Sequence, residues 1–373
     1  MKYYVIAGER SGDIHGGNLL RAIKNLDGEA VFQGFGGDQM QEAGCTLSLH
    51  YKEMSFMGFW EVLINIIKIK KILTFCRKDL LAFSPDVAIL IDFAGFNMRM
   101  AKFISGNNIP VYYYISPKVW AWNQKRAWKI KRLVDRMFVI LPFEKAFFKK
   151  YDFPVDYVGN PVCDAVNSHV VDDSFREKYN VAEPVKFVAL LPGSRQQEIK
   201  KILPVFISLA NKHPDKQFAL AAVHSIPEIY YRKVKKALNI TLVYEDTYNL
   251  LAHAEAAIVT SGTATLETAL WNVPQVVVYK TSTLSYLIAR EVIQVPYISL
   301  VNLIMDEKLI KELIQDECTA TTISKELEQL LYNKEHRKRI QQGYHEIKNT
   351  LDKGNVSMNA ARKIVSYLRE SNN

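Results

Sequence analysis

The sequence predicts an α/β protein made of two Rossmann-like halves. Short apolar runs rich in Val, Ile, Leu and Tyr recur along the chain, and helical patterns follow them. A unit of strand, small polar loop and helix opens at residue 2, and the same plan restarts near residue 185. The length of 373 residues suits two domains of roughly 100–200 residues each. The halves agree in plan and show no short-period repeat.

Composition narrows the class. The chain is 49% hydrophobic and 23% charged, ordinary values for a globular protein with ample core. Cys45, Cys76, Cys163 and Cys318 stand far apart with no CxxC pair, which argues against a zinc or disulfide framework and for a reducing compartment. The start, MKYYVIAGE, enters a strand directly, without the apolar stretch of a signal peptide. No uninterrupted apolar run approaches the ~18–20 residues of a transmembrane helix. These features predict a cytoplasmic protein.

The first strand ends in the loop 8–13, followed by a helix through residues 15–25. Its glycine spacing is not GxGxxG, so no dinucleotide cofactor is indicated. Glu9, Ser11, Asp13 and His15 stand where ligands of open α/β sheets bind, although Ser11 or Asp13 can equally cap the helix. Residues 57–73 form a helical pattern whose polar positions Glu61, Asn65 and Lys68 make one narrow face. The apolar remainder is wider than a single core contact uses. Burial, a partner interface and a membrane contact with lysines at the headgroups all fit, and the pattern alone favours burial. Residues 85–92 read PDVAILID, a buried parallel strand ending in Asp92, a position suited to a general base. The same Asp can be a structural cap.

Strands over 111–116, 134–140 and 155–158 complete the first half. Ten Lys/Arg between residues 118 and 150 face only Asp135 and Glu144, which suggests an anionic partner or a solvated helix face. No nucleic-acid module accompanies them, and no nucleic-acid partner is expected.

In the second half, a strand over 185–191 runs into Gly193, Ser194 and Arg195, a plausible diphosphate clamp of backbone N–H groups and a guanidinium. A helix is expected over 229–238. The stretch 256–279 is strand, loop, helix, strand. Its loop and helix start, Ser261, Gly262, Thr263, Ala264 and Thr265, can hold a phosphate, and Glu267, one turn on, can take a ribose. The competing reading is an ordinary helix capped by Ser261 or Thr263.

Two such halves facing each other across a cleft describe the GT-B architecture of nucleotide-sugar glycosyltransferases. The expected domains are 1–166 for the acceptor and 167–349 for a UDP-sugar, with a last helix at about 350–373 returning to the first. There is no DxD-like pair at a strand end and no HxxH. Neither metal nor cofactor is expected; Arg195 and helix N-termini would stabilise a departing UDP.

The chain resembles the lipid-A-disaccharide synthase family over nearly its full length. The resemblance rests on AGERSGD at 7–13, MGFWEVL at 57–63, PDVAILID at 85–92, SPKVWAW at 116–122, LPFE at 141–144, LPGSR at 191–195, SGTATLE at 261–267 and SLVN at 299–302. Together, in this order, they are highly specific. The resemblance implies an inverting transfer from UDP-2,3-diacylglucosamine to 2,3-diacylglucosamine 1-phosphate, giving a β-1,6-linked disaccharide 1-phosphate and UDP. It implies that Asp92 is the base, that Arg195 and Asn302 lie in the active site, that Glu267 holds the ribose, and that Glu9 and Asp13 stand near the acceptor. The family often has a second Asp where this chain has Gly95, so the base role falls to Asp92 alone or with Glu9. The resemblance also moves the helix at 57–73 toward a peripheral membrane contact through Phe59, Trp60, Leu63, Ile67, Lys68, Lys70 and Lys71. The expected place is the cytoplasmic face of the inner membrane, on an anionic surface, with a homodimer possible. The alternative is an enzyme like UDP-N-acetylglucosamine 2-epimerase.

Overall fold

A computed structural model describes residues 1–54, 66–179 and 186–371. The chain divides into two compact units, Met1–Pro161 with Lys353–Asn373, and Val162–Asp352.

The first unit is a parallel sheet of β1 (Lys2–Ala7), β2 (Val31–Gly36), β3 (Cys45–His50), β4 (Val87–Ile91), β5 (Val111–Tyr114), β6 (Arg136–Val139) and β7 (Asp156–Tyr157). Their order across the sheet is β3-β2-β1-β4-β5-β6-β7. β4 is buried at every residue and β1 at all but Lys2, as expected for strands covered by helices on both faces. The strand order reverses between β1 and β4, whose register pairs Val5 with Ile89 and Ala7 with Ile91. The carboxyl ends of these two strands therefore lie side by side, and ligands of open α/β sheets bind outside such a reversal.

The second unit repeats the plan with β8 (Phe187–Leu191), β9 (Gln217–Ala222), β10 (Ile240–Tyr244), β11 (Ala254–Thr260), β12 (Gln275–Tyr279) and β13 (Glu312–Ile314), in the order β10-β9-β8-β11-β12-β13. Its reversal falls between β8 and β11, where Leu191 pairs with Val259.

The last helix, Val356–Ser371, belongs to the first unit. Its Val356, Ala360, Ala361, Ile364, Val365 and Leu368 join the core formed by β1, β4 and the helix Arg10–Leu26. Lys363 Nζ and the Tyr367 hydroxyl donate to the two oxygens of Asp156 at 2.7 and 2.8 Å.

Residues 229–238 do not form the expected helix. Two 3₁₀ turns, Glu228–Tyr230 and Val234–Lys236, stand there. Tyr231 and Val234 are buried, and the Tyr231 hydroxyl accepts from the Val223 N–H, a tertiary anchor that outweighs weak helix propensity.

Ile364 is fully buried, so Ile364→Ala should lower stability by about 2–5 kcal/mol. An unmoved chemical-denaturation midpoint would argue that this helix does not dock on the first unit.

Candidate active site

In the first unit the site is built on the turn after β4. Asp92 and Phe93 both have left-handed backbones, with φ of 43° and 44°. Two such non-glycine residues in succession cost about 1–3 kcal/mol each. The turn is held from beneath. Asn97, fully buried, donates its Nδ2 to the carbonyls of Ile91 (3.0 Å) and Asp92 (2.9 Å), and the Tyr113 hydroxyl donates to the Asp92 carbonyl. From the side, Gly8 makes room: a Cβ there would stand 2.1 Å from the Phe93 ring. The end of β1 and the turn after β4 thus fit together only with glycine at position 8.

This framing fixes the Asp92 backbone. Burial raises the Asp92 pKa, while the positive charge of Lys118 and the Phe93 N–H pull it down. A carboxylate whose pKa is raised but still offset by a lysine is a stronger base than a solvated one.

The other acidic and basic residues expected here divide. Glu9 is the N-cap residue of the helix Arg10–Leu26, and its side chain does not cap it. Ser11 is exposed on the first turn. Burial lowers the His15 pKa to about 4, so His15 is neutral at pH 7. Asp13 has a structural occupation. Its carboxylate accepts from the N–H groups of Gly37 (2.8 Å), Gln39 (3.1 Å) and Met40 (3.0 Å), so it caps the short helix Asp38–Glu42 from a distance.

Glu144, which sequence reasoning assigned no role, is a buried hub. Its carboxylate accepts from the Ser116 hydroxyl, Trp120 Nε1 (3.1 Å) and the N–H groups of Ile140 (3.2 Å) and Leu141 (2.9 Å). Burial pushes its pKa up and these four donors oppose the shift. It joins the SPKVWAW and LPFE stretches, and so fixes the segment that carries Lys118. The signal was present as two motifs that never touch in sequence.

In the second unit, the loops after β8 and β11 are neighbours. Gly193 has φ +93°, and a Cβ there would meet Glu198 Oε2 at 2.5 Å. Ser194 and Arg195 are exposed, and Arg195 pairs with Glu198 at 3.1 Å. Gly262 is the N-cap residue of the helix Thr263–Leu270, without a side-chain cap. Neither Ser261 nor Thr263 caps it; the Ser261 hydroxyl donates instead to the Ile298 carbonyl at 2.7 Å. Thr263 is exposed, Ala264 half-buried, and Thr265 fully buried with its hydroxyl on the Gly262 carbonyl. Glu267 accepts from the Tyr248 hydroxyl at 3.0 Å, and burial raises its pKa against that bond.

Asn302 is committed to the fold. It is fully buried; its Nδ2 donates to the Ile310 carbonyl and Glu312 Oε1, and its Oδ1 accepts from the Ile310 N–H, each at 3.0 Å. Both amide hydrogens are thus engaged within the second unit, so the side chain holds the segment 299–312 together.

Of the residues expected at a membrane, Phe59, Trp60 and Leu63 lie outside the described residues. Ile67, Lys68, Lys70 and Lys71 are exposed on the helix Ile66–Phe83, Ile67 at 68%. No described helix is long and apolar enough to cross a membrane. Among the described residues no group of His, Cys, Asp and Glu side chains could hold a metal ion.

The helices that follow β1, β4, β8 and β11 share one feature: the N-cap residue's own side chain makes no capping bond. Their first-turn N–H groups and dipoles stand at the strand reversals, an arrangement that suits phosphate and other anions.

A family model for lipid-A-disaccharide synthetase matches residues 3–365. The lipid-A-disaccharide synthase of Geobacter sulfurreducens is 35% identical over 370 residues, covering 98% of this chain and 96% of the relative. That of Syntrophus aciditrophicus is 36% identical over 374 residues, covering 98% of each. Among solved structures, the UDP-GlcNAc 2-epimerase of Neisseria meningitidis bound to UDP-GlcNAc superposes with a TM-score of 0.65 at 15% identity, over 99% of this chain and 100% of that one. At that identity the likeness concerns the fold, which is GT-B.

A Gly8→Ala substitution should cost about 1–3 kcal/mol through its clash with Phe93, and much less in a Phe93→Ala background. Denaturant titrations of the double-mutant cycle measure the coupling; equal losses in both backgrounds would refute the close approach.

Proposed function

This chain belongs to the lipid-A-disaccharide synthase family of glycosyltransferases, and on that premise we propose how its residues perform the transfer. The donor is UDP-2,3-diacylglucosamine and the acceptor 2,3-diacylglucosamine 1-phosphate. Asp92 takes the proton of the acceptor hydroxyl as its oxygen attacks the anomeric carbon. The bond to UDP breaks on the opposite face, so the centre inverts and a β-linked disaccharide forms. The observation that carries this reading is the strained, half-buried turn that holds Asp92 at the end of β4 with a raised pKa.

The donor half uses the helix starts at Arg195 and Gly262, where no N-cap side chain makes a capping bond. Their N–H groups and the Arg195 guanidinium meet the negative charge that grows on the leaving diphosphate. Glu267 takes the ribose hydroxyls. The Tyr248 hydroxyl orients its carboxylate for that contact. Glu9, Ser11 and His15 line the acceptor side, His15 as a neutral imidazole. Asp13 supports them by fixing the neighbouring backbone.

The enzyme works as a peripheral protein on the cytoplasmic face of a membrane, through the helix Ile66–Phe83 and the residues preceding it. Exposed Ile67 beside Lys68, Lys70 and Lys71 supports this, because an apolar contact fringed by lysines fits an anionic bilayer surface.

Asp92→Asn should retain the fold and lower turnover by roughly 10²–10⁴-fold, read as UDP release with both acylated sugars in detergent. Release of UDP by the wild type without acceptor, or epimerisation of UDP-N-acetylglucosamine alone, would point to the epimerase reading. The pH profile gives a second test. The active base is the carboxylate, so activity is lost as pH falls through the Asp92 pKa, and a raised pKa places that loss above the usual carboxylate range. Lys118 lowers this pKa, so Lys118→Met should move the acid limb of kcat/KM to higher pH. A limb that stays in place would sever Lys118 from the base. Charge reversal at Lys68, Lys70 and Lys71 together should weaken binding to vesicles containing phosphatidylglycerol; unchanged binding would remove this helix from the membrane contact.

A further inference from the structure

Two cavities flank the Asp92 turn in the first unit. One, of about 250 Å³, is apolar and is lined by Met54, Ile69, Ile72, Phe93 and Phe96. The other, of about 270 Å³, carries Arg99, Lys118, Arg126 and Lys129 around apolar walls that include Met98, Val119, Trp122 and Ile130. Gly95 and Arg99 line both. Among the described residues no carboxylate lines the second cavity, and none of its four cations makes an ion pair. The Arg126 guanidinium lies over the Trp122 ring, 4.4 Å from its centroid. Ala94 and Gly95, the first residues of the helix Ala94–Ser105, also line this cavity.

The four side chains are exposed and screened by solvent, and an anion seated among them feels their combined attraction. A guanidinium fork suits a tetrahedral oxyanion. The first cavity has Arg99 as its one charged lining residue among those described, and the two meet at a glycine. A Cβ at Gly95 would find nothing within 4 Å, so the junction is open.

We propose that the two cavities form a single amphiphile site for the acceptor. The cationic cavity takes its phosphate monoester, and the apolar cavity takes the first part of one acyl chain. This rests on the transfer reaction above and adds where the acceptor's two recognition groups go. It also divides the basic stretch 118–150. Lys118, Arg126 and Lys129 serve the phosphate. Lys131 pairs instead with Asp152 and Arg136 lies over the Tyr367 ring.

The test uses the full-length protein and steady-state kinetics with the acceptor and with the same diacylglucosamine lacking its phosphate. Arg126→Gln with Lys129→Gln should raise the acceptor KM by roughly 10- to 100-fold. The donor KM and the KM for the dephosphorylated acceptor should be unchanged. Gly95→Ile should raise the KM for both acceptors, because it closes the junction, and leave the donor KM alone. If the double variant leaves the acceptor KM as it was, or raises it equally with and without the phosphate, the phosphate assignment is wrong. If it instead loses binding to phosphatidylglycerol vesicles at unchanged acceptor KM, the cavity holds a bilayer headgroup and the assignment is again wrong. An unchanged KM in Gly95→Ile overturns the acyl half. In each of these outcomes wild-type turnover still stands; its absence with both sugars would fail the transferase reading itself.

Discussion

The arrangement depends on helix starts whose own N-cap side chains make no capping bond. Parallel strands bring helix N-termini to one edge of each sheet, and the reversals at β1/β4 and β8/β11 set two of them side by side. A side-chain cap would contribute about 1 kcal/mol at each, and the second unit uses such caps elsewhere. Ser299, Thr319 and Asn333 each accept from the first turn of their helices. At Arg195 and Gly262 no N-cap side chain makes a capping bond, which leaves first-turn N–H groups for another acceptor. Glycine at 193 and the left-handed pair Asp92–Phe93 belong to the same economy of close approach at the strand ends.

Much of the fold was legible because central parallel strands are continuous apolar runs. β1, β4, β8 and β11 could each be read from composition and from the small polar loop that follows. β3 and β13 could not: CTLSLH at 45–50 is half-buried and polar at alternate positions, and Glu312–Ile314 has three residues. The 3₁₀ turns at 228–236 were misread as a helix because their stability comes from the side chains of Tyr231 and Val234, not from helical periodicity.

The candidate site was legible in position and less so in role. Strand ends mark where polar residues gather, but not which backbone groups will be waiting for them. Asp13 and Asp92 look equivalent in sequence, one in each loop of the first reversal. Asp13 meets three N–H groups from residues 37–40, more than twenty positions away, and becomes a cap. Asp92 accepts from the Phe93 N–H beside it and feels Lys118. Asn302 shows that a motif residue can also tie the fold: its amide bonds the Ile310 backbone and the Glu312 carboxylate. Glu144 is a second such case, a residue in a quoted motif whose function is to join that motif to another.

Lys118 connects these levels. Glu144 fixes the segment that carries it, its charge lowers the pKa of Asp92, and it lines the cationic cavity. An anion seated in that cavity offsets part of the Lys118 field at Asp92. The offset has a definite sign: with less positive charge nearby, the Asp92 pKa rises and the carboxylate becomes the stronger base. With the cavity empty, Asp92 feels the full Lys118 field, which works against the upward shift from burial. On the acceptor-site proposal, a phosphate seated there would relieve part of that field as the hydroxyl arrives. Occupancy of the cavity and basicity of Asp92 would then be coupled through Lys118, which the acid limb of kcat/KM measured with and without the acceptor's phosphate would show.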